Sequence, residues 1–199
     1  MGSIERRLRH KQTIRQLILD KAQLISDKEG WGAVTIRRLA DEIEYTLPVI
    51  YTHFKSKEEI ITEIAKHGFK LLEQRLSASF SANLAPRQNA VNLALSYCQF
   101  AVDNKSLYQA MYGIDGISSF FTGNPEEGEI VFFLVKNNLD QLVRHGAKIK
   151  DSWQATKLIW STLHGLVTLD FIGRITDRTT NQKEIVTDFI NMLYQSWGL

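Results

Sequence analysis

The chain has 199 residues, 44% of them hydrophobic and 23% charged, with only three prolines. This composition excludes disordered, collagen-like and disulfide-framed classes and leaves room for one generous domain or a small domain joined to a larger one. A formal net charge of +2 does not identify a nucleic-acid binder. Its distribution is more telling: Arg6, Arg7, Arg9, Lys11 and Arg15 face only Glu5 at the N-terminus, whereas beyond residue 70 the two signs almost balance, so the field that attracts a polyanion sits at one end.

Almost every segment repeats its apolar residues at helical spacings, so the chain reads as all-α with about nine helices. The N-terminus has charges but lacks the apolar stretch and small-residue cleavage site of a secretion signal. No run approaches the roughly 18 apolar residues of a spanning helix, so a cytoplasmic protein outside the membrane is expected. The basic arm from Arg6 to Lys11 is either solvated or laid along a nucleic-acid backbone or minor groove. The first helix is expected over 11–28, with Ile14, Leu17, Ile18, Ala22 and Ile25 on one face and Gly30 as its stop.

Thr35 then caps a short helix through Ile43. A third helix starts after Thr46, which can cap it; Pro48 is tolerated in the first turn because donors there lack intrahelical acceptors. Ile36, Leu39, Ala40 and Ile43 line one face of the first short helix, and Val49, Ile50 and Phe54 the inner face of the second. Such a pair leaves the outer face of the second helix free for a major groove. Ser56-Lys57-Glu58-Glu59 is a capping box that opens a long helix to about Ser81.

The stretch 34–57, and above all Tyr51, Phe54, Lys55, Lys57, Glu58 and Glu59, resembles the signature of TetR-family transcriptional regulators, the likeness running from about Thr13 to Phe69. The resemblance implies a helix-turn-helix DNA-binding domain over 1–55 and a helical effector-binding and dimerisation domain over 56–199. It also implies that Arg37, Leu47, Pro48 and Tyr51 read base edges and that Thr35, His53 and Lys57 contact phosphates. One position departs from the pattern: Glu44 stands where the family has Gly in the turn. A left-handed backbone at Glu44 would cost roughly 1 kcal/mol, and its carboxylate would lie near phosphates.

Beyond Pro86, helices are expected over 88–103, 106–112, 125–144, 152–175 and 182–197. A loop rich in Gly, Ser and Asn precedes Pro125. Cys98, the single cysteine, lies in an apolar run and reads as a buried small hydrophobe. Trp160-Ser161-Thr162-Leu163-His164-Gly165 is similar to the Trp-x-x-x-His-Gly motif of one C-terminal class of TetR-like regulators. Trp160 and His164 share a helix face, either as core residues or as ligand contacts. Aromatics gather between residues 97 and 133. Tyr97, Phe100, Met111, Tyr112, Phe121 and Phe133, with Trp160 and His164, are the candidate lining of a pocket for an apolar or aromatic effector, with ordinary core packing as the other account.

Apolar residues almost encircle the helix at 152–175, and the last helix carries a second stripe. The resemblance implies that these two helices and their symmetry mates form a C2 homodimer, whose two reading heads meet a near-palindromic duplex. No phosphate-cradling glycine loop, paired cysteines or His-Glu-x-x-His spacing is present, so no catalytic residue, metal or cofactor is expected. Three functions stay open: a repressor released by a small molecule, a DNA-binding regulator controlled by a protein partner, and a helical enzyme or scaffold with a degenerate reading head.

Overall fold

The computed structural model describes residues 2–113, 126–144, 146–175 and 181–199. Among them are nine α-helices and no strand: α1 (Ser3–Glu29), α2 (Ile36–Glu42), α3 (Leu47–His53), α4 (Lys57–Ser79), α5 (Pro86–Asp103), α6 (Lys105–Tyr112), α7 (Glu126–Arg144), α8 (Ser152–Phe171) and α9 (Gln182–Ser196). A 3-10 turn at Trp31–Ala33 follows α1, an element the apolar periodicity does not signal. No helix among the described residues is long and apolar enough to cross a membrane.

Two boundaries differ from the sequence expectation, each for a physical reason. α1 begins at Ser3, so the basic stretch expected as an arm is helical. Arg, Leu, Lys and Gln are good helix formers, and lengthening a helix already nucleated by its packed half avoids the cost of starting one. α8 ends at Phe171, short of Ile175, because Gly173 takes φ 66°. Its N–H donates to the Asp170 carbonyl and that of Arg174 to the Leu169 carbonyl, both at 2.9 Å, the paired closure of a glycine-stopped helix.

The chain forms two compact units. The first holds α1, α2, α3, α4 as far as Gly68, and α6. Its core gathers Ile14, Ile18, Ala22 and Ile25 of α1, Leu39 and Ala40 of α2, Ile50 of α3, and Ile60 and Ile64 of α4, all buried. α6 belongs here, although the expected boundary at 55/56 assigns it to the C-terminal domain. Trp31 Nε1 donates to the Ser106 carbonyl at 2.8 Å, and Ser106 Oγ donates to Asp27. A Cβ placed on Gly68 would meet Met111 Sδ at 2.6 Å and Leu107 Cδ1 at 3.0 Å, so α4 and α6 approach as closely as only glycine permits.

The second unit holds α4 from Phe69, with α5, α7, α8 and α9. α5 packs against α7, α8 and α9, and α7 against α8. Tyr194 Oη donates to the Pro86 carbonyl at 3.1 Å and Arg87 Nε to Asn191 Oδ1 at 3.0 Å, fixing the register of α9 on α5. Burial pushes the Tyr194 hydroxyl and the Cys98 thiol each up to about 12. Cys98 is thus an inert core residue.

Candidate nucleic-acid interface and effector cavity

In the first unit, Thr35 Oγ1 accepts the Arg38 N–H at 3.1 Å and so starts α2. At its other end the Tyr45 N–H reaches the Ala40 carbonyl at 3.0 Å and the Glu44 N–H the Asp41 carbonyl at 3.3 Å. These two bonds define a Schellman closure with Glu44 at the left-handed position. Glu44 has φ 58° and is the one non-glycine residue with positive φ among the described residues. The turn therefore keeps the geometry that glycine ordinarily supplies and carries the strain of doing so with a Cβ. Thr46 precedes α3 with extended backbone but makes no side-chain cap bond, contrary to the capping role expected for it.

α3 is strongly two-sided. Ile50 is 0% exposed and the adjoining Phe54 1%, whereas Leu47 is 41% and Tyr51 55% exposed. Pro48 is exposed as well. Exposed large apolar side chains gathered on one short helix face mark a contact surface. Tyr45, also exposed, extends that surface; the motif does not single it out, and its place beside the turn is the one signal of it in the sequence.

The cations divide by whether they have partners. Arg38 is bound to Glu29 at 2.5 Å, Arg15 to Glu63 at 2.8 Å and Lys21 to Glu42 at 3.2 Å. Arg37 is exposed and makes no ion pair among the described residues, so its guanidinium is free for an outside acceptor.

Two expected phosphate contacts are placed less openly. His53 is half-buried, with Nδ1 sequestered and unbonded. Its pKa is held below the ordinary imidazole value first by burial, then by the nearby Lys11, Arg15 and His10, so the ring is neutral near pH 7. Its carbonyl accepts from Arg15 at 3.0 Å, and that guanidinium lies 4.2 Å above the Phe54 ring. Lys57 turns inward: Nζ donates to the Trp31 carbonyl at 2.6 Å, and burial lowers its pKa. The capping box also rearranges. Ser56 Oγ accepts the Glu59 N–H at 3.4 Å, while the Glu59 carboxylate takes the N–H of Lys55, not that of Ser56.

The second unit encloses a narrow apolar cavity of about 50 Å³ among α5, α7, α8, α9 and the end of α4. Tyr97 and Trp160 of the expected residues line it. They are joined by Phe132, Leu163, Ile190, Leu193, Tyr194 and Trp197, and by the polar Asn138 and Thr156. Trp160 Nε1 donates to Tyr97 Oη at 3.2 Å, and His164 Nδ1 stands 3.5 Å from that oxygen. Burial lowers the His164 pKa. His164 thus stands behind the lining on the same polar cluster.

The other expected lining residues lie elsewhere. Phe100 is buried but does not line the cavity. Met111 packs at Gly68, and Tyr112 packs with tilted rings against Tyr108, their centroids 4.6 Å apart, both in the first unit. Phe133 is exposed beside Trp153, 5.8 Å away. Phe121 falls outside the described residues. The contributions of Tyr194 and Trp197 were hidden because nothing in the order of elements says that α9 closes the cavity. Their aromatic character was the only signal.

Comparison with known proteins gives these two units a common setting. Residues 18–64 match the family described as "Bacterial regulatory proteins, tetR family", and residues 90–193 match "Tetracyclin repressor-like, C-terminal domain". The uncharacterized HTH-type transcriptional regulator YobS of Bacillus subtilis is 26% identical over 156 residues, 77% of each chain. A second uncharacterized HTH-type transcriptional regulator, from Mycobacterium tuberculosis, is 24% identical over 182 residues, 88% of this chain and 78% of that one. Among solved structures, a Rhodococcus protein of unknown function superposes with a TM-score of 0.80 at 22% identity, covering 93% of this chain and 95% of that one, and so shares the fold. One match spans the helix-turn-helix and the other most of the helical C-terminal unit, over half of the chain: the chain belongs to the TetR family of DNA-binding transcriptional regulators.

Proposed function

We propose that this chain is a cytoplasmic repressor that binds a near-palindromic operator as a homodimer and is released by a small apolar or aromatic effector. The observation that carries the reading-head assignment is the exposed outer face of α3, with Leu47, Pro48 and Tyr51 on it, beside the unpaired guanidinium of Arg37. Leu47, Pro48 and Tyr51 suit apolar contact with thymine methyls, and Arg37 suits a guanine edge. Thr35 and His53 flank them as backbone contacts. Lys57 is assigned a structural role, since its ammonium is committed to Trp31.

Dimerisation is supported by α8. Leu158, Leu169 and Ile172 are exposed, and with Gly165 they fall on one stripe at heptad spacing. Nothing lies within 4 Å of where a Gly165 Cβ would stand, so that face is open to a neighbouring backbone. On α9, Met192 is also exposed, at 60%. A self-complementary stripe of this kind fits an isologous contact.

The cavity supports an apolar effector that enters by parting the helices around it, because about 50 Å³ holds only about three to five waters on the scale where one needs roughly 10–15 Å³. An effector that fits the parted state shifts the population toward it, and its binding is reciprocally coupled to that of the operator. The same narrowness favours, as a second reading, control by a protein partner without any small ligand.

The test is selection of bound duplexes from a random pool by the intact protein, beside Arg37→Ala and Tyr51→Ala. A sequence preference that both variants lose while remaining folded and dimeric is expected; a preference that survives both refutes the assignment. Thermal shifts across a panel of apolar and aromatic compounds separate the effector reading from the partner reading, since a true ligand stabilises in proportion to the logarithm of its concentration over its dissociation constant.

A further inference from the structure

α1 is longer than its domain. Its first buried residue is Ile14, and residues 4–13 are all exposed. At 1.5 Å per residue this overhang projects roughly 15 Å. The core-facing stripe of α1 is Ile14, Ile18, Ala22 and Ile25, at steps of four, four and three. Continuing it backward by three and then four residues gives Lys11 and Arg7. The meridian of the helix that faces the core is therefore occupied, where the core stops, by two cations.

These cations have no ion-pair partner among the described residues. Arg15, Lys21, Arg38 and Lys66 of the first unit are each paired to a carboxylate. Arg6, Arg7, His10 and Lys11 make no ion pair among the described residues. The stripe also runs beside the end of the reading helix. Arg15 bonds the His53 carbonyl, and Lys11 and His10 are close enough to His53 to act on its titration. Three cations, Arg6, Arg7 and Lys11, held on a helix next to an exposed reading surface, repel one another unless a polyanion lies against them.

We infer that Arg7 and Lys11, with Arg6 and His10 beside them, form a rigid helical clamp on the duplex phosphate backbone adjoining the segment read by α3. The inference rests on the reading-head assignment above and adds to it a separate set of contacts that carry no base information. The clamp is preorganised: a helix anchored at Ile14 loses little conformational freedom on binding, unlike a disordered tail.

The experiment measures the salt dependence of binding of the full chain to the best duplex recovered by selection and to a mixed-sequence duplex of the same length. For Arg7→Ala/Lys11→Ala, the slope of log affinity against log salt is expected to flatten by about 0.9 for each phosphate no longer neutralised, which comes to about 2 per subunit on both duplexes, with base preference unchanged. Leu8→Pro keeps every cation but breaks the overhang, and it is expected to flatten the slope as well, chiefly through Arg6 and Arg7. An unchanged slope in the double variant overturns the clamp, and an unchanged slope in Leu8→Pro overturns its rigidity. Arg37→Ala run alongside separates the two levels: if it loses sequence preference while the arm variants keep the wild-type slope, only the clamp fails. If Arg37→Ala and Tyr51→Ala both keep full preference, the reading-head assignment fails, whatever the arm variants show.

Discussion

Replacing Glu44 by Gly isolates the physical cost of the turn. Glu44 sits at φ 58° in the closure of α2, is exposed, and has no side-chain partner among the described residues, so its removal breaks no contact. The left-handed backbone costs a residue with a Cβ roughly 1–2 kcal/mol. Glycine escapes that cost but gives back about 0.4–1 kcal/mol through the greater freedom of the unfolded chain. Glu44→Gly is therefore expected to stabilise the first unit by about 0.5–1 kcal/mol, or about 1–4 °C in a chain of this size. Native-state hydrogen exchange at the α2 and α3 amides reads this locally, without depending on how the two units share a global transition. The same substitution removes a negative charge beside the reading surface, and Glu44→Gln separates the effects because it removes the charge and keeps the strain. Glu44→Gln is expected to tighten duplex binding with no gain in stability, and Glu44→Gly to do both. A Glu44→Gly protein no more stable than wild type would refute the argument that glycine is missing from this turn for no structural return.

Three further outcomes follow from the geometry. Lys57→Met is expected to lower the stability of the first unit by about 1–2 kcal/mol in chemical denaturation, since the Trp31 carbonyl is deprived of its charged donor. It should leave the salt slope of duplex binding unchanged, whereas a phosphate contact would cost about 0.9. Gly68→Ala drives a Cβ into Met111 and is expected to destabilise by about 1 kcal/mol after the gain in helix propensity; Met111→Ala should then cost less in that background than alone, which a double-mutant cycle checks. His164 has its pKa lowered by burial, so the unfolded chain takes up a proton before the folded one does. The stability it permits is complete above about pH 6.5 and falls as the pH drops toward the folded value, and His164→Gln should remove that part of the acid sensitivity in melts followed across pH 7 to 5.

What the sequence could and could not disclose follows from the range of the interactions involved. The helices were legible because apolar periodicity and stop signals are local: Gly30 ends α1 and Ile50 with Phe54 anchors α3, as their spacing implies. The strain at Glu44 was legible too, since it needs only a turn position and a side chain. Lys57 was not. Its motif neighbours make it a surface cation, and only the fold brings the Trp31 carbonyl, 26 positions away, to its ammonium. The cavity failed for the same reason in larger measure. Tyr97 and Trp160 meet across 63 positions, while Met111 and Tyr112, far closer to Tyr97 in sequence, are drawn into the other unit by Gly68 and Trp31.

That division bears on how a signal reaches the reading head. α5 lines the cavity through Tyr97, Leu93 and Ala94, and a single residue, Asn104, separates its end from α6, which is fastened to α1 through Ser106 and Asp27 and to α4 at Gly68. On the proposed reading, a displacement of α5 by an effector would have a covalent route into the first unit, through Asn104, that is shorter than the whole length of α4. Glycine at position 68 lets α6 seat without strain, so the coupling that the proposed function requires would depend on a contact that a single methyl group disturbs. If the proposed function holds, Gly68→Ala is expected to keep its affinity for the selected duplex in a gel shift while losing the response of that affinity to a compound that stabilises the wild-type protein.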